Sequence, residues 1–400
     1  MKVNDIAYFC GYFSTTDSDF GKILASDGFW TLCEYEPSQL EYWKGYYFPE
    51  FVDLFACQVK TYIHECNQEI QVKMKDESIR KAFLTDLKVY LYPFGIVMYS
   101  IGLRQYDLEM EETFGVLMSL RMVLAATGDS DFEKLAVAPL EELCKAAGAS
   151  KLMESGNKYK LFRLVVSDQA PIEISASDKL LFSAGTMTMY DENANWSFSK
   201  GYYEKIISKG RLSVFKNWSA LSLLDTFTIL AFRPSDFTLN FWESDYFGKL
   251  YLYSLFRKFF LFRLNNSFRE DRMRIGRLKD ELESFEGEYS FPMVSYNFLP
   301  ELVVKSMETG LDIDEEKEKI SLMVTHEKDK KEAETNDRMN LFLGVISFLT
   351  LFSAIWDFGC LVAGMKVFGE NKEVEVLRAC TTLIIGIFCL VALKIKKGRK

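Results

Sequence analysis

Apolar positions follow several different rhythms along the chain. Residues 88–92 and 94–103 are rich in β-branched and aromatic side chains, and Pro93 parts them, so two strands are expected. Residues 109–126 switch to a helical rhythm. There Leu117, Leu120 and Leu124 recur at three- and four-residue intervals, which places them on one buried face. Residues 159–166 and 179–183 read as further strands on either side of a polar stretch containing Pro171. Strands mixed with helix over residues 1–200 predict an α/β layered domain.

From about residue 201 the pattern turns helical. Residues 245–268 carry Phe247, Leu250, Tyr251, Leu255, Phe259 and Phe262, but Lys249, Arg257, Lys258 and Arg263 interrupt them. Each such charge costs about 2.5–3.5 kcal/mol near a bilayer centre, so a buried amphipathic helix is expected rather than a membrane span. Residues 269–286 are charged on most faces and should pair with it as a solvated, antiparallel helix. Residues 326–338 contain no large apolar side chain, as in a stalk bathed in water. Residues 201–338 are therefore assigned to a long helical stalk region.

The last 62 residues are different again. Residues 339–363 include one charge, Asp357, and as a helix would be about 37 Å long against a hydrocarbon core of about 30 Å. Residues 379–393 are uncharged and are lengthened by Val376 and Leu377 if Arg378 snorkels to the interface. Residues 339–400 thus predict a domain of two transmembrane helices in a multi-pass membrane protein.

Charge orients these spans. Five of the last seven residues are basic, whereas residues 364–375 carry three acids and two lysines, so the tail is expected inside and the loop outside. Two spans then place the N-terminal domain in the cytosol too, in keeping with an N-terminal segment that lacks a signal-peptide apolar stretch. The expected location is a bacterial inner membrane with both termini cytosolic. Residues 339–400 hold eight basic and four acidic side chains, so 40 basic and 53 acidic remain in residues 1–338, a net charge of −13. Such a field disfavours direct nucleic-acid binding and tolerates cations.

Little in the chain points to catalysis. No GxGxxG, GxxxxGK[ST] or GxSxG motif occurs, and no enzyme activity is expected. The eight cysteines are scattered without a CxxC, as in a reducing compartment. Cys57, His64 and Cys66 lack regular zinc-site spacing, and their segment reads as an amphipathic helix. Two features carry more. Asp312, Asp314, Glu315 and Glu316 precede a predicted helix; they either complement its positive end or, with Asp312, Glu315 and Glu316 as ligands, form a divalent-cation site between subunits. In the first span, Asn340, Leu343, Ser347, Thr350, Ala354 and Asp357 fall within an arc of about 100°, while Phe342, Val345, Phe348, Phe352 and Trp356 lie opposite. One protomer with two spans cannot enclose a pore, so a pore-lining stripe implies a symmetric oligomer.

A cytosolic α/β domain, a polar stalk, a first span around NDRMNLFLGVISFLTLFSAIWDFG, a short loop, a second span and a basic tail resemble the CorA-type divalent-cation transporter superfamily. The resemblance implies a homopentamer whose first span lines the pore, with Mg2+ or another divalent cation as the ion. That family's Gly-Met-Asn triplet has no counterpart here, because Gly364-Met365 is followed by Lys366. CorA-like proteins lacking the triplet are similar to membrane effectors that accompany some type III CRISPR systems. That likeness implies antiviral defence triggered by a nucleotide second messenger, a cyclic oligoadenylate or a SAM–AMP conjugate. A membrane-anchored scaffold is the third reading the layout allows.

Overall fold

The computed structural model describes residues 1–362 apart from 18, 75, 124–129 and 270–274. It divides into two compact units, Met1–Ser321 and Leu322–Lys400. The first is built on a mixed sheet whose strands are β1 (Lys2–Ser14), β2 (Thr31–Leu32), β3 (Lys60–Lys73), β4 (Ile79–Tyr92), β5 (Ile96–Glu109), β6 (Lys160–Ser167), β7 (Arg211–Phe215), β8 (Trp218–Ser222) and β9 (Thr226–Phe232). Their order is β2-β3-β4-β5-β1-β6-β9-β8-β7, and β6–β9 is a parallel pair in an otherwise antiparallel sheet.

The helices, in chain order, are α1 (Phe20–Ser26), α2 (Pro37–Tyr46), α3 (Pro49–Asp53), α4 (Met110–Leu120), α5 (Ala138–Ala146), α6 (Ile174–Thr186), α7 (Lys200–Gly210), α8 (Asp236–Phe241), α9 (Leu252–Arg269), α10 (Ile275–Tyr289), α11 (Phe298–Gly310) and α12 (Ile313–Val362). A π-helical stretch, Trp242–Tyr251, joins α8 to α9 without a break.

The central strand explains the layering. β1 is buried along almost its whole length, because both of its faces are covered. Phe9 and Phe13 enter the core shared with Phe114 of α4, Leu140 of α5 and Phe182 of α6. On the other face, Tyr8 stacks on Phe247 with ring centroids 3.9 Å apart, and Tyr12 on Phe259 at 4.2 Å. The aromatic run of residues 245–268 is therefore the second cover of the sheet, each fully buried ring contributing roughly 1.5–3 kcal/mol of burial energy. Phe256 stacks on Tyr92 at 4.5 Å, and Phe260 on Phe285 at 3.7 Å, which ties α9 to the sheet and α10 to α9.

A buried ion pair crosses the first layer. Arg163 of β6 and Asp5 of β1 are both 0% exposed. The Arg163 Nε donates to both Asp5 oxygens at 3.0 and 2.9 Å, Nη1 to the Ala184 carbonyl at 2.7 Å, and Nη2 to Thr113 Oγ1 at 2.8 Å. Its guanidinium also lies 4.9 Å from the centroid of the Phe114 ring. Two strands and two helices thus share one satisfied charge network.

Several expectations hold and several do not. Residues 88–92 and 94–103 belong to β4 and β5, with a 3-10 turn at Pro93–Gly95 in which Phe94 takes a positive φ of 60°. Residues 159–166 match β6 within one residue. The helix expected at 109–126 is α4, ending at Leu120 with Leu117 and Leu120 buried; Leu124 lies outside the described residues. Residues 179–183 are not a strand but the middle of α6, which buries Asp178, Leu181, Phe182 and Gly185. The short apolar run was compatible with either element, and helix length decides it. Residues 57–66 are not an amphipathic helix either, since β3 begins at Lys60. His64 there stacks on Phe29 at 3.6 Å, and its Nδ1 lies 3.0 Å from the Phe29 carbonyl oxygen. Nor is the chain helical throughout after residue 201, because β7, β8 and β9 complete the sheet as far as Phe232.

Candidate functional site

Sequence directs attention to the start and the apolar part of α12. α11 closes at Gly310, Leu311 follows, and Asp312 takes a positive φ of 53° before α12 begins at Ile313. Asp314, Glu315 and Glu316 fill the first turn, where carboxylates meet unpaired backbone N–H groups and the positive helix end.

Each basic residue that breaks up the aromatic run of 245–268 has a carboxylate partner. Arg257 pairs with Glu308 of α11, Lys258 with Glu316 of α12, and Arg263 with Glu281 of α10. Lys317 of α12 pairs in turn with Glu286 of α10. Burial raises the Glu308 carboxyl above its ordinary range, with Arg257 pulling the other way. The first turns of α12 are thereby clamped to α9 and α10 by charge pairs that are mostly out of water.

Each of the three predicted cation ligands lies beside a lysine. Glu316 faces Lys258, Glu315 accepts from Lys319 at 2.6 Å, and Asp312 lies 3.9 Å from Lys209. The Lys319 hydrogen bond and charge hold the Glu315 carboxyl below its usual range. Among the described residues, no group of three or more His, Cys, Asp or Glu side chains could hold a metal ion.

Beside this junction lies a cleft of about 380 Å3, lined by Arg121, Tyr202, Lys209, Asp225, Gly310 and Asp312 among others. Asp225 receives Arg121 and Lys160, each at 2.8 Å. Burial opposes ionisation of Asp225, but Lys160 and Arg121 outweigh it and keep its carboxyl below the ordinary range. Burial also lowers the Lys160 ammonium, against the pull of Asp225. Gly310 is required at this wall, because a Cβ there would stand 2.0 Å from Ser222 Oγ.

Farther along, α12 runs without interruption through residues 326–338 into the apolar segment. At 50 residues and 1.5 Å rise, it is about 75 Å long. Within it, Glu332–Phe358 is one helix long and apolar enough to cross a membrane, and its most apolar window is not buried inside the molecule. Asn340, Leu343, Ser347, Thr350, Ala354 and Asp357 all lie on this continuous helix, so the arc deduced from 100° per residue applies to them. Asn340, Leu343, Ser347, Thr350 and Ala354 are exposed within the chain, and Asp357 is half-buried. Thr350 Oγ1 donates to the Ile346 carbonyl at 2.5 Å, which satisfies its proton locally. Phe352 and Trp356 sit one turn apart, with rings 6.3 Å from each other, on the opposite side. The second span at 379–393, the Gly364-Met365-Lys366 stretch and the basic tail lie outside the described residues.

No family model matches the chain, and a search of curated proteins finds no match to it. A helix long and apolar enough to cross a membrane is what the chain itself supplies. The pairing of Lys249, Arg257, Lys258 and Arg263 with Asp245, Glu308, Glu316 and Glu281 was not anticipated. Its signal was nonetheless present, since four cations inside an aromatic helix require four partners nearby.

Proposed function

We propose that this chain is the subunit of a CorA-like homopentameric membrane channel, whose cytosolic domain controls an axial pore lined by α12. The observation that carries this reading is the continuity of α12. One helix begins in a set of ion pairs with α9 and α10 and continues into an apolar, membrane-length segment with its polar residues on a single face. Ser and Thr also serve as contacts between spans, but an ionisable Asp357 in the same phase favours a water-filled path. In a symmetric oligomer the Asp357 side chains form an acidic ring, which concentrates cations as such rings do in cation channels.

In this proposal two spans per protomer cross the bacterial inner membrane and both termini are cytosolic. Mg2+ or another divalent cation is the ion to test first. The experiment is reconstitution of the purified protein into liposomes with a cation-sensitive dye inside. Asp357→Asn, which removes the whole acidic ring, is expected to reduce cation flux by about tenfold, equivalent to about 1.4 kcal/mol. No flux in either protein would favour the membrane-anchored scaffold, and equal flux in both would take Asp357 out of the conduction path.

A further inference from the structure

The two outer ends of the sheet are both open, and both show apolar side chains to solvent. β7 stands last in the strand order and bonds only to β8; β2 stands first, is two residues long and bonds only to β3. Val214 and Phe215 are exposed on β7, the ring at 48%, and Leu32 is 44% exposed on β2. The pairing of β7 with β8 shifts register between Leu212 and Phe215. Such an irregularity keeps an edge strand from continuing its ladder into another sheet, so a contact made here is one of side chains.

Charge separates the same two ends. Residues 200–216 form α7 and β7 and hold Lys200, Lys205, Lys209, Arg211 and Lys216 against Glu204 alone, within a region of net charge −13 over residues 1–338. Arg211 is taken by Asp178, and Lys209 lies near Asp312. Lys200, Lys205 and Lys216 are exposed and have no carboxylate partner among the described residues. At the β2 end, residues 27–36 carry Asp27, Glu34 and Glu36 and no basic side chain. Glu65 of β3 is exposed two residues beyond Ile63, which pairs with Thr31 of β2. Asp27, Glu34 and Glu65 have no basic partner among the described residues.

We propose that the basic β7 end of one protomer docks against the acidic β2 end of the next copy of this chain. Each end is an apolar centre with a charged rim, the usual anatomy of a protein interface, and the two rims are opposite in sign. The acidic complement of the free lysines thus already stands on the chain itself. The inference rests on the homo-oligomer reading above for the presence of neighbouring copies, and it deepens that reading by naming the contact. A ring needs two different patches on every protomer, because a patch that pairs with itself closes as a dimer. Opposite ends of one sheet supply two such patches. Like-charged ends repel, so the same side chains disfavour β7 against β7 and β2 against β2.

The test uses the full-length protein in detergent at low salt, treated with a carbodiimide that joins lysine amines to carboxylates in direct contact. The two ends are eight strand spacings apart, about 38 Å along the sheet, so a zero-length join between them links separate copies. Wild type is expected to give a ladder of chain multiples on a denaturing gel, with cross-linked peptides that connect the β2 end to residues 200–216. Lys205→Glu with Lys216→Glu should lower the ladder yield about fivefold or more, and so should Glu34→Lys with Glu65→Lys. All four substitutions together exchange the two signs and should restore the yield, which also shows that the exposed positions tolerate the change. A ladder unchanged by either reversal, or not restored in the fourfold variant, would overturn the docking while leaving the oligomer and its pore in place. Wild-type protein that elutes as a single chain would remove the oligomer itself and the proposal with it.

Discussion

Asp5→Ala is expected to destabilise the sheet domain by about 3–5 kcal/mol, because it strands the fully buried Arg163 guanidinium without a counter-charge. Thr113 Oγ1 and the Ala184 carbonyl would remain as acceptors, but neither carries charge. The double variant Asp5→Leu, Arg163→Met removes both charges and keeps comparable volume, so it should recover most of that loss. Guanidinium denaturation of the detergent-solubilised protein, followed by tryptophan fluorescence, measures both. A near-native midpoint for Asp5→Ala, or a double variant less stable than the single one, would contradict a pairwise origin of the effect. The consequence extends past β1 and β6, since the same guanidinium holds the end of α6 and the middle of α4.

Leu343→Ser is expected to raise basal ion leak by about tenfold or more in reconstituted liposomes. Leu343 lies one turn from Asn340 within the polar arc, where a ring of leucines would close a pore by dewetting. Val345→Ser, on the opposite side of the helix, introduces the same hydroxyl and should leave leak near the wild-type level. Similar leak in both variants would show that the effect is one of disturbed packing rather than of a shared constriction.

What sequence revealed depended on how many faces of each element are buried. α12 was legible because its outer surface changes abruptly from charge to apolar side chains, and the acids of its first turn mark its start. β5 and β6 were legible as short β-branched runs bounded by turn residues. β1 was not, since an apolar run covered on both sides lacks the alternation that marks a half-exposed strand. α6 was mistaken for a strand because its Leu-Leu-Phe core is too short to display a period.

Charge was read with similar unevenness. Arg257, Lys258 and Arg263 correctly argued against a membrane span, yet the partners that make their burial tolerable sit on three other helices, 18 to 58 residues away in sequence. Long-range pairs of this kind leave no local pattern. Around Asp312, Glu315 and Glu316 the same holds in part: Lys319, four residues after Glu315, is a local helical partner, whereas Lys209 and Lys258 beside Asp312 and Glu316 are remote in sequence.

The most direct test of the pore proposal is cysteine-scanning accessibility along residues 340–358. The native Cys33, Cys57, Cys66, Cys360, Cys380 and Cys389 are first replaced by serine. Single cysteines are then exposed, in native membrane vesicles, to a charged, water-soluble methanethiosulfonate reagent. The account predicts rapid labelling at 340, 347, 350, 354 and 357 and slow labelling at 345, 348, 352 and 356, a periodicity of one helical face. Uniform protection of all nine positions, or labelling without helical phase, would contradict an axial path lined by α12.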